Sequence, residues 1–422
     1  MTLSEHQRTE LAWIYLRHVV EGSRRDVLDL LWPDGWELRR MNQTPGDAIR
    51  VAGMILRRDE ALPESLLNAT AHRYDFDPRA TQERSKRMGM RLLASDSEEW
   101  PTEFTDAFVR MMGTGADKDA GVRGQAEAPF AVWVRGEASL AELVKHSITV
   151  VGTRAATRYG RAVAYQFSTE LSMQGYTMVS GGADGIDKQA HMAALEAGSH
   201  TVAVMACGAD VSYPAKNHEL FTRMVNSGSL IVSEYAPGTS AARHRFLTRN
   251  RLAAALGKGT VMVEAPVRSG AINTMNWAES MLKPTLAVPG PVDTAASQGT
   301  LLRIQEGRAQ MAITSQDILD AVEPLGKQLE LDVCTSGGSE NNRGEGRGAE
   351  GGFDQRGTGP KLSWQETAVF DAAGIENDDS GSMTEIQRDT GLDGVLVMKL
   401  VRDLEAGGLL RRMGDRWVKV RD

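Results

Sequence analysis

Five short stretches combine the groups that hold anions. Gly152-Thr153-Arg154 offers backbone N–H, a hydroxyl and a guanidinium in consecutive positions. Ser180-Gly181-Gly182 offers a hydroxyl and backbone that a ligand can approach closely. Lys216-Asn217, Arg249-Asn250-Arg251 and Ser269-Gly270 with Thr274 complete the set. Glycine exposes backbone N–H groups to an anion, and cations and hydroxyls supply charge-assisted hydrogen bonds. Each stretch suits one phosphate. Repeated along a chain, they suit a string of phosphates better than one small molecule.

The elements around them alternate. Ile148–Val151 reads as a strand, the stretch holding Ala162, Phe167, Leu171 and Met173 as a helix, and Tyr176–Val179 as a second strand. Further strands are expected at residues 201–205, 230–234, 260–264 and 285–288, with helices at 187–197, 217–226, 250–256 and 271–281. A loop is expected over 235–248. This alternation predicts an α/β fold, a Rossmann-like, doubly wound and mostly parallel sheet. In such a sheet the five stretches fall at the carboxyl ends of strands, where ligands bind. A helical N-terminal domain is expected over 1–90, the Rossmann-like domain over 91–330, a flexible Gly-rich linker over 335–360, and a winged-helix domain over 361–422.

Composition narrows the function. The net charge is −8, which argues against a uniformly basic nucleic-acid binder. The central stretch Lys145–Asp320 nevertheless carries 16 Lys and Arg against 13 Asp and Glu, leaving room for a polyanion. The two cysteines, Cys207 and Cys334, lie far apart and form no C-x-x-C pair, so neither a cysteine-based zinc site nor a disulfide framework is expected. No apolar run reaches membrane-span length, and the N-terminus lacks a signal-peptide pattern, so a cytoplasmic location is expected.

Neither nucleotide fingerprint is present. Gly152 has no partner glycines for a dinucleotide turn, and the P-loop lysine motif is absent. The candidates for catalysis are Asp184, Asp187, His191, Glu234 and Glu264. None forms a legible nucleophile–base pair. Asp187 reads as a helix N-cap, His191 as a packing or backbone-bonding residue, and Glu264 as a base or as a holder of Arg249 or Arg251. No metal, cofactor or catalytic residue is expected.

Taken in order, Val151-Gly152-Thr153-Arg154, Ser180–Asp187 with His191, Tyr213-Pro214, Ser233-Glu234, Arg249-Asn250-Arg251, Val263-Glu264, Ser269-Gly270 and Val288-Pro289-Gly290 resemble the DNA-processing protein A (DprA, Smf) family. The likeness spans about residues 90 to 320. It departs in three places: Thr153 stands for a serine, Phe246-Leu247-Thr248 for a Phe-Pro lead-in, and Lys216 lies one place late. The resemblance implies a single-stranded DNA-binding mediator that protects incoming DNA in natural transformation. It further implies help in loading the RecA recombinase, displacement of single-strand-binding protein, and homodimerisation through the Rossmann-like domain. It implies no catalytic activity, and phosphate contacts at Gly152, Thr153, Arg154, Ser180, Gly181, Lys216, Arg249 and Ser269. The alternative is a nucleotide-hydrolysing enzyme related to the phosphoribohydrolases. Those enzymes resemble a Pro-Gly-Gly-x-Gly-Thr pattern followed by Glu, which this chain lacks.

Overall fold

Ser147–Val151 buries all five of its side chains, as a strand covered by helices on both faces must. It is the third strand of a nine-stranded sheet in the computed structural model, which describes residues 3–36, 46–113, 126–323, 366, 369–370, 372–373, 381–390 and 394–420. Two compact units are present, Met1–Thr335 and Ser336–Asp422. The first begins with five helices: α1 (Glu5–Val19), α2 (Arg25–Leu31), α3 (Ala48–Leu56), α4 (Glu64–Thr70) and α5 (Pro78–Arg87). It continues through β1 (Met90–Ala94), α6 (Thr102–Gly113), β2 (Ala131–Arg135), α7 (Leu140–Val144), β3 (Ser147–Val151), α8 (Arg158–Met173), β4 (Thr177–Ser180) and α9 (Ile186–Glu196). Then come β5 (Thr201–Met205), α10 (His218–Asn226), β6 (Leu230–Ser233), α11 (Arg243–Leu256), β7 (Thr260–Met262) and α12 (Gly270–Ser280). The unit closes with β8 (Thr285–Ala287), α13 (Gln298–Gln305), β9 (Gln310–Met311) and α14 (Ser315–Val322).

The sheet order is β1-β2-β6-β5-β4-β3-β7-β8-β9. From β6 to β9 every pairing is parallel; β2 runs antiparallel to both β6 and β1. The chain therefore winds outward from β3 to β6, returns, and winds the other way from β7 to β9. The register Val151↔Met262 brings the ends of β3 and β7 level, and the loops leaving them diverge. This is the switch point where a doubly wound sheet leaves a crevice.

The N-terminal helices do not pack apart from the sheet. Trp13 on α1 stacks between Trp32 and Phe130, with ring centroids 6.3 and 6.2 Å away, and this cluster continues into Val134, Val232 and Leu252. Polar ties reinforce the junction. Glu234, directly after β6, takes two hydrogen bonds from Arg251 at 2.8 and 2.7 Å and one from the Ser23 hydroxyl at 2.5 Å, while Arg17 of α1 lies 3.5 Å away. All three charged side chains are essentially inaccessible.

Helix α11 begins at Arg243, within the stretch expected to be loop. Arg243-His244-Arg245 carries no apolar periodicity, so the first turn left no signal. Strand β9 was not expected; its two residues are both exposed and cannot show an alternating pattern. The expected linker over 335–360 lies outside the described residues. In the second unit, α15 (Met383–Thr390), α16 (Gly394–Ala406) and the hairpin β10 (Leu410–Met413) with β11 (Arg416–Lys419) match the expected order, around a core of Ile386, Val397, Val401, Leu404 and Leu410. The helix expected over 364–373 lies largely outside the described residues.

Breaking a buried ion pair from one side leaves an uncompensated charge. Glu234→Ala should therefore lower stability by about 3–5 kcal/mol, read as the urea unfolding midpoint. A loss below about 1 kcal/mol would mean the triad does not tie α1 to the sheet.

Candidate nucleic-acid interface

The crevice at the switch point is a groove of about 300 Å³. Its floor and walls come from the loops after β3, β4 and β7 and from one face of α11. Among its lining residues are Gly152, Thr153, Arg154, Gly181, Arg249, Asn250, Ser269 and Gly270, so eight of the twelve expected contact residues meet at one place.

The loops are held by short-range constraints. A Cβ on Gly152 would lie 2.4 Å from Ile186 Cγ1 and 2.8 Å from the Glu264 carbonyl, so only glycine lets the first loop pass there. The Thr153 N–H donates to that same carbonyl at 2.7 Å, and the Thr153 hydroxyl accepts from Ala155 N–H. Gly185 has φ +84°, and a Cβ on it would sit 2.2 Å from the Thr153 carbonyl. The loops after β3 and β4 thus lean on each other. Glu264 holds neither arginine expected of it. Its carboxylate accepts from the Thr157 N–H at 2.9 Å and hydroxyl at 2.5 Å, and Thr157 caps α8 through Gly160 N–H.

The cations differ in availability. Arg154 is exposed, with its guanidinium 4.8 Å from the centroid of the Phe246 ring. Tyr213 packs beside that ring at 5.4 Å and is 42 % exposed, so an arginine and two aromatic rings share the rim. Arg268 is exposed in the loop before α12, where Ser269 caps the helix by accepting from Ala271 N–H. Among the described residues neither Arg154 nor Arg268 forms an ion pair. Arg249 is buried: Nη1 donates to the Val204 carbonyl and the guanidinium packs against Gly181, where a Cβ would collide with it. Burial lowers its pKa, against the pull of Asp187. Asn250 donates to the Gly270 carbonyl and to Asn273 Oδ1, both at 3.2 Å, joining α11 to α12.

The other four expected residues lie elsewhere. Arg251, on the opposite face of α11, is fully buried against Glu234 and over Phe108. The buried Ser180 hydroxyl donates to the Val150 carbonyl inside the sheet. Asn217 is buried and donates to the Gly182 carbonyl at 3.1 Å. Lys216 is exposed and pairs with Asp184 at 2.6 Å, which gives Asp184 a defined role in holding the loop after β4 beside that after β5.

The acidic and imidazole candidates are structurally engaged. Asp187 does not cap α9, whose N-cap is Gly185; it accepts from the N–H groups of Gly181 and Ala183 and so shapes the preceding loop. Burial raises its pKa, opposed by Arg249 and those N–H groups. His191 is fully buried and bonds a side chain rather than backbone. The Thr201 hydroxyl donates to the Met178 carbonyl, so it accepts from His191 Nδ1–H at 2.7 Å, leaving Nε2 unprotonated and without a partner. Burial, with a smaller contribution from Arg249, lowers its pKa to about 3. Among the described residues no group of His, Cys, Asp and Glu could hold a metal. No helix there is long and apolar enough to cross a membrane.

Arg268 and Pro266, which the sequence does not single out, line the groove, as do Phe246 and Leu247, which it marks only as the lead-in to Arg249. Arg268 was legible in principle, since a cation just before a helix N-terminus at a strand end belongs to the same pattern as Arg154.

The sequence pattern of the DNA recombination-mediator protein A family matches residues 94–323, which spans the sheet from the end of β1 through α14. This chain belongs to that family. It is 38 % identical over 320 residues to the putative DNA processing protein DprA of Mycobacterium tuberculosis (strain ATCC 25618 / H37Rv), covering 76 % of each chain. It is 36 % identical over 201 residues to the DNA processing protein DprA of Streptococcus pneumoniae (strain ATCC BAA-255 / R6), covering 47 % of this chain and 68 % of the relative. The X-ray structure of DprA from Streptococcus pneumoniae superposes with a TM-score of 0.57 at 25 % identity, covering 77 % of this chain and all of that one. The fold is thus shared with that solved structure.

The neutral His191 has a pH consequence. In the unfolded chain it binds a proton below about pH 6.5, while in the fold it stays neutral down to about pH 3. The unfolded state therefore holds the extra proton in this window, and stability falls as pH drops through it. His191→Gln removes that contribution, so acidification from pH 7 to 5 should cost the variant about 2 kcal/mol less than wild type in urea unfolding. Equal losses would show that His191 is protonated in the fold.

Proposed function

We propose that this protein binds single-stranded DNA without sequence preference and acts as a recombination mediator. The observation that carries this reading is the switch-point groove, where Arg154 and Arg268 stand exposed beside glycine backbone and Arg154 packs on the Phe246–Tyr213 pair. Exposed guanidiniums suit the phosphates, and aromatic faces at the rim suit unpaired bases, which stack on any ring. Family membership supports the finer reading: protection of incoming single strands in natural transformation, displacement of single-strand-binding protein and help in loading RecA. A cytoplasmic location goes with it.

The role is non-enzymatic. Among the described residues the one carboxylate lining the groove is Asp187, which is committed to two backbone N–H groups, and Glu264 and Glu234 are held by Thr157 and by arginines. A phosphoribohydrolase-like activity would need an acidic group free to act on the nucleotide. The C-terminal unit is read as a winged helix. Its exposed Arg411 and Arg412 suit DNA, while the excess of acidic residues over 361–422, 12 against 9 basic, favours a protein partner.

A homodimer through the sheet domain is part of this proposal. Strand β9 is an exposed edge, and Leu302, Met311 and Ile313 present apolar side chains on α13 and around it. Unpaired edges with apolar neighbours are protected by pairing with another chain. Met311→Glu with Ile313→Glu should shift the protein to monomer in sedimentation velocity; an unchanged dimer places the interface elsewhere.

Fluorescence anisotropy with a labelled single strand tests the main claim. Arg154→Ala and Arg268→Ala should each weaken binding roughly tenfold, as loss of a charged hydrogen bond does, without altering thermal unfolding. Unchanged affinity in both, or release of free base from nucleoside monophosphates, would overturn it. Arg249 is unsuited to this test because its loss also unseats the Val204 contact.

A further inference from the structure

A second cavity, of about 120 Å³, opens between the end of α1 and the segment after β6, and Arg17, Glu21, Arg73, Glu234, Tyr235 and Arg245 line it. Its inner wall belongs to the Arg17–Glu234–Arg251 triad, in which no side chain is more than 1 % exposed. One carboxylate there faces two guanidiniums. The outer wall repeats the imbalance: Glu21 lies between Arg73 at 3.1 Å and Arg245 at 2.6 Å. The lining itself thus carries three guanidiniums, those of Arg17, Arg73 and Arg245, against the two carboxylates of Glu21 and Glu234. Arg17 also has two nitrogens, Nε and Nη1, with no hydrogen-bond acceptor. Burying unmet donors is costly, and the cost falls when an anion completes the set.

We propose that this cavity binds a phosphate group, either inorganic phosphate or a phosphate monoester. Such a group carries about −1.5 to −2 charges at neutral pH, opposite in sign to the surplus of arginine over glutamate in the lining. Its three or four oxygens are strong acceptors for guanidinium N–H groups. The cavity, of about 120 Å³ and open to solvent on its outer side, accommodates a five-atom ion. Arg245 at this cavity and Arg249 in the groove lie four residues apart on α11, about one helical turn. The site is therefore a neighbour of the groove, and it does not depend on the groove binding DNA. A strand's terminal phosphate and a free phosphate present the same chemistry to it.

The test is isothermal titration of the full-length chain with inorganic phosphate, ionic strength held constant with chloride. Wild type should bind one phosphate at this site, and Arg73→Gln should weaken that binding roughly tenfold. The groove variant Arg154→Ala/Arg268→Ala should retain it. Arg245→Gln serves as a second variant if Arg73→Gln alters the circular dichroism spectrum. No binding by wild type, or binding equal in wild type and both cavity variants, overturns the proposal. Oligonucleotides with and without a terminal phosphate then separate the sources. A preference for the phosphorylated end that vanishes in Arg73→Gln assigns the site to strand ends. Equal affinity for the two oligonucleotides, with phosphate binding still sensitive to Arg73→Gln, assigns it to the free ion.

Discussion

The structure depends on a close approach of three loops at the reversal of strand order. Gly152 passes so near Ile186 and the Glu264 carbonyl that no side chain fits, and Gly185 passes as near the Thr153 carbonyl. These contacts, with the Thr153 N–H bond to Glu264, bring the ends of β3, β4 and β7 into one plane of backbone. Everything that could touch a ligand is positioned from there. Asp187 draws in the N–H groups of Gly181 and Ala183, and Glu264 fixes the start of α8 through Thr157. Acidic residues in this site work inward, on the scaffold, and leave the outward-facing charge to arginine.

Helix α11 couples this scaffold to the N-terminal helices. Its successive residues point in different directions: Arg249 toward Gly181 and the groove, Asn250 toward α12, and Arg251 into the buried contact with Glu234 and, through it, Arg17. One turn earlier Arg245 reaches Glu21, just after α1. The orientation of the groove's back wall is thus set partly by residues that begin before position 25. The N-terminal helices are part of the site's foundation as well as of its own apolar core.

The alternation of strands and helices, the parallel sheet and the position of the groove were legible because apolar runs and glycine turns follow from backbone geometry. That eight of the expected residues line one groove was legible for the same reason, since strand ends in a doubly wound sheet converge. What stayed hidden was direction. Arg249, Asn250 and Arg251 are equivalent in a sequence, yet the helix turns them to three different neighbours. Ser180 and Asn217 sit at strand and loop ends, but tertiary hydrogen bonds to the Val150 and Gly182 carbonyls turn them inward. The partner of Asp184 is visible only in the fold, where Lys216, 32 residues away, lies within 2.6 Å. The first turn of α11 and the short strand β9 were missed because neither carries a hydrophobic period.

The central claim is that exposed arginines of the switch-point groove contact successive phosphates of a single strand. The salt dependence of binding tests it most directly, because each phosphate contact contributes about −0.7 to the slope of log K against log salt for single strands. Comparing wild type with Arg154→Ala/Arg268→Ala, the account predicts a slope shallower by roughly 1.4 in the double variant. An identical slope in the two proteins would contradict it.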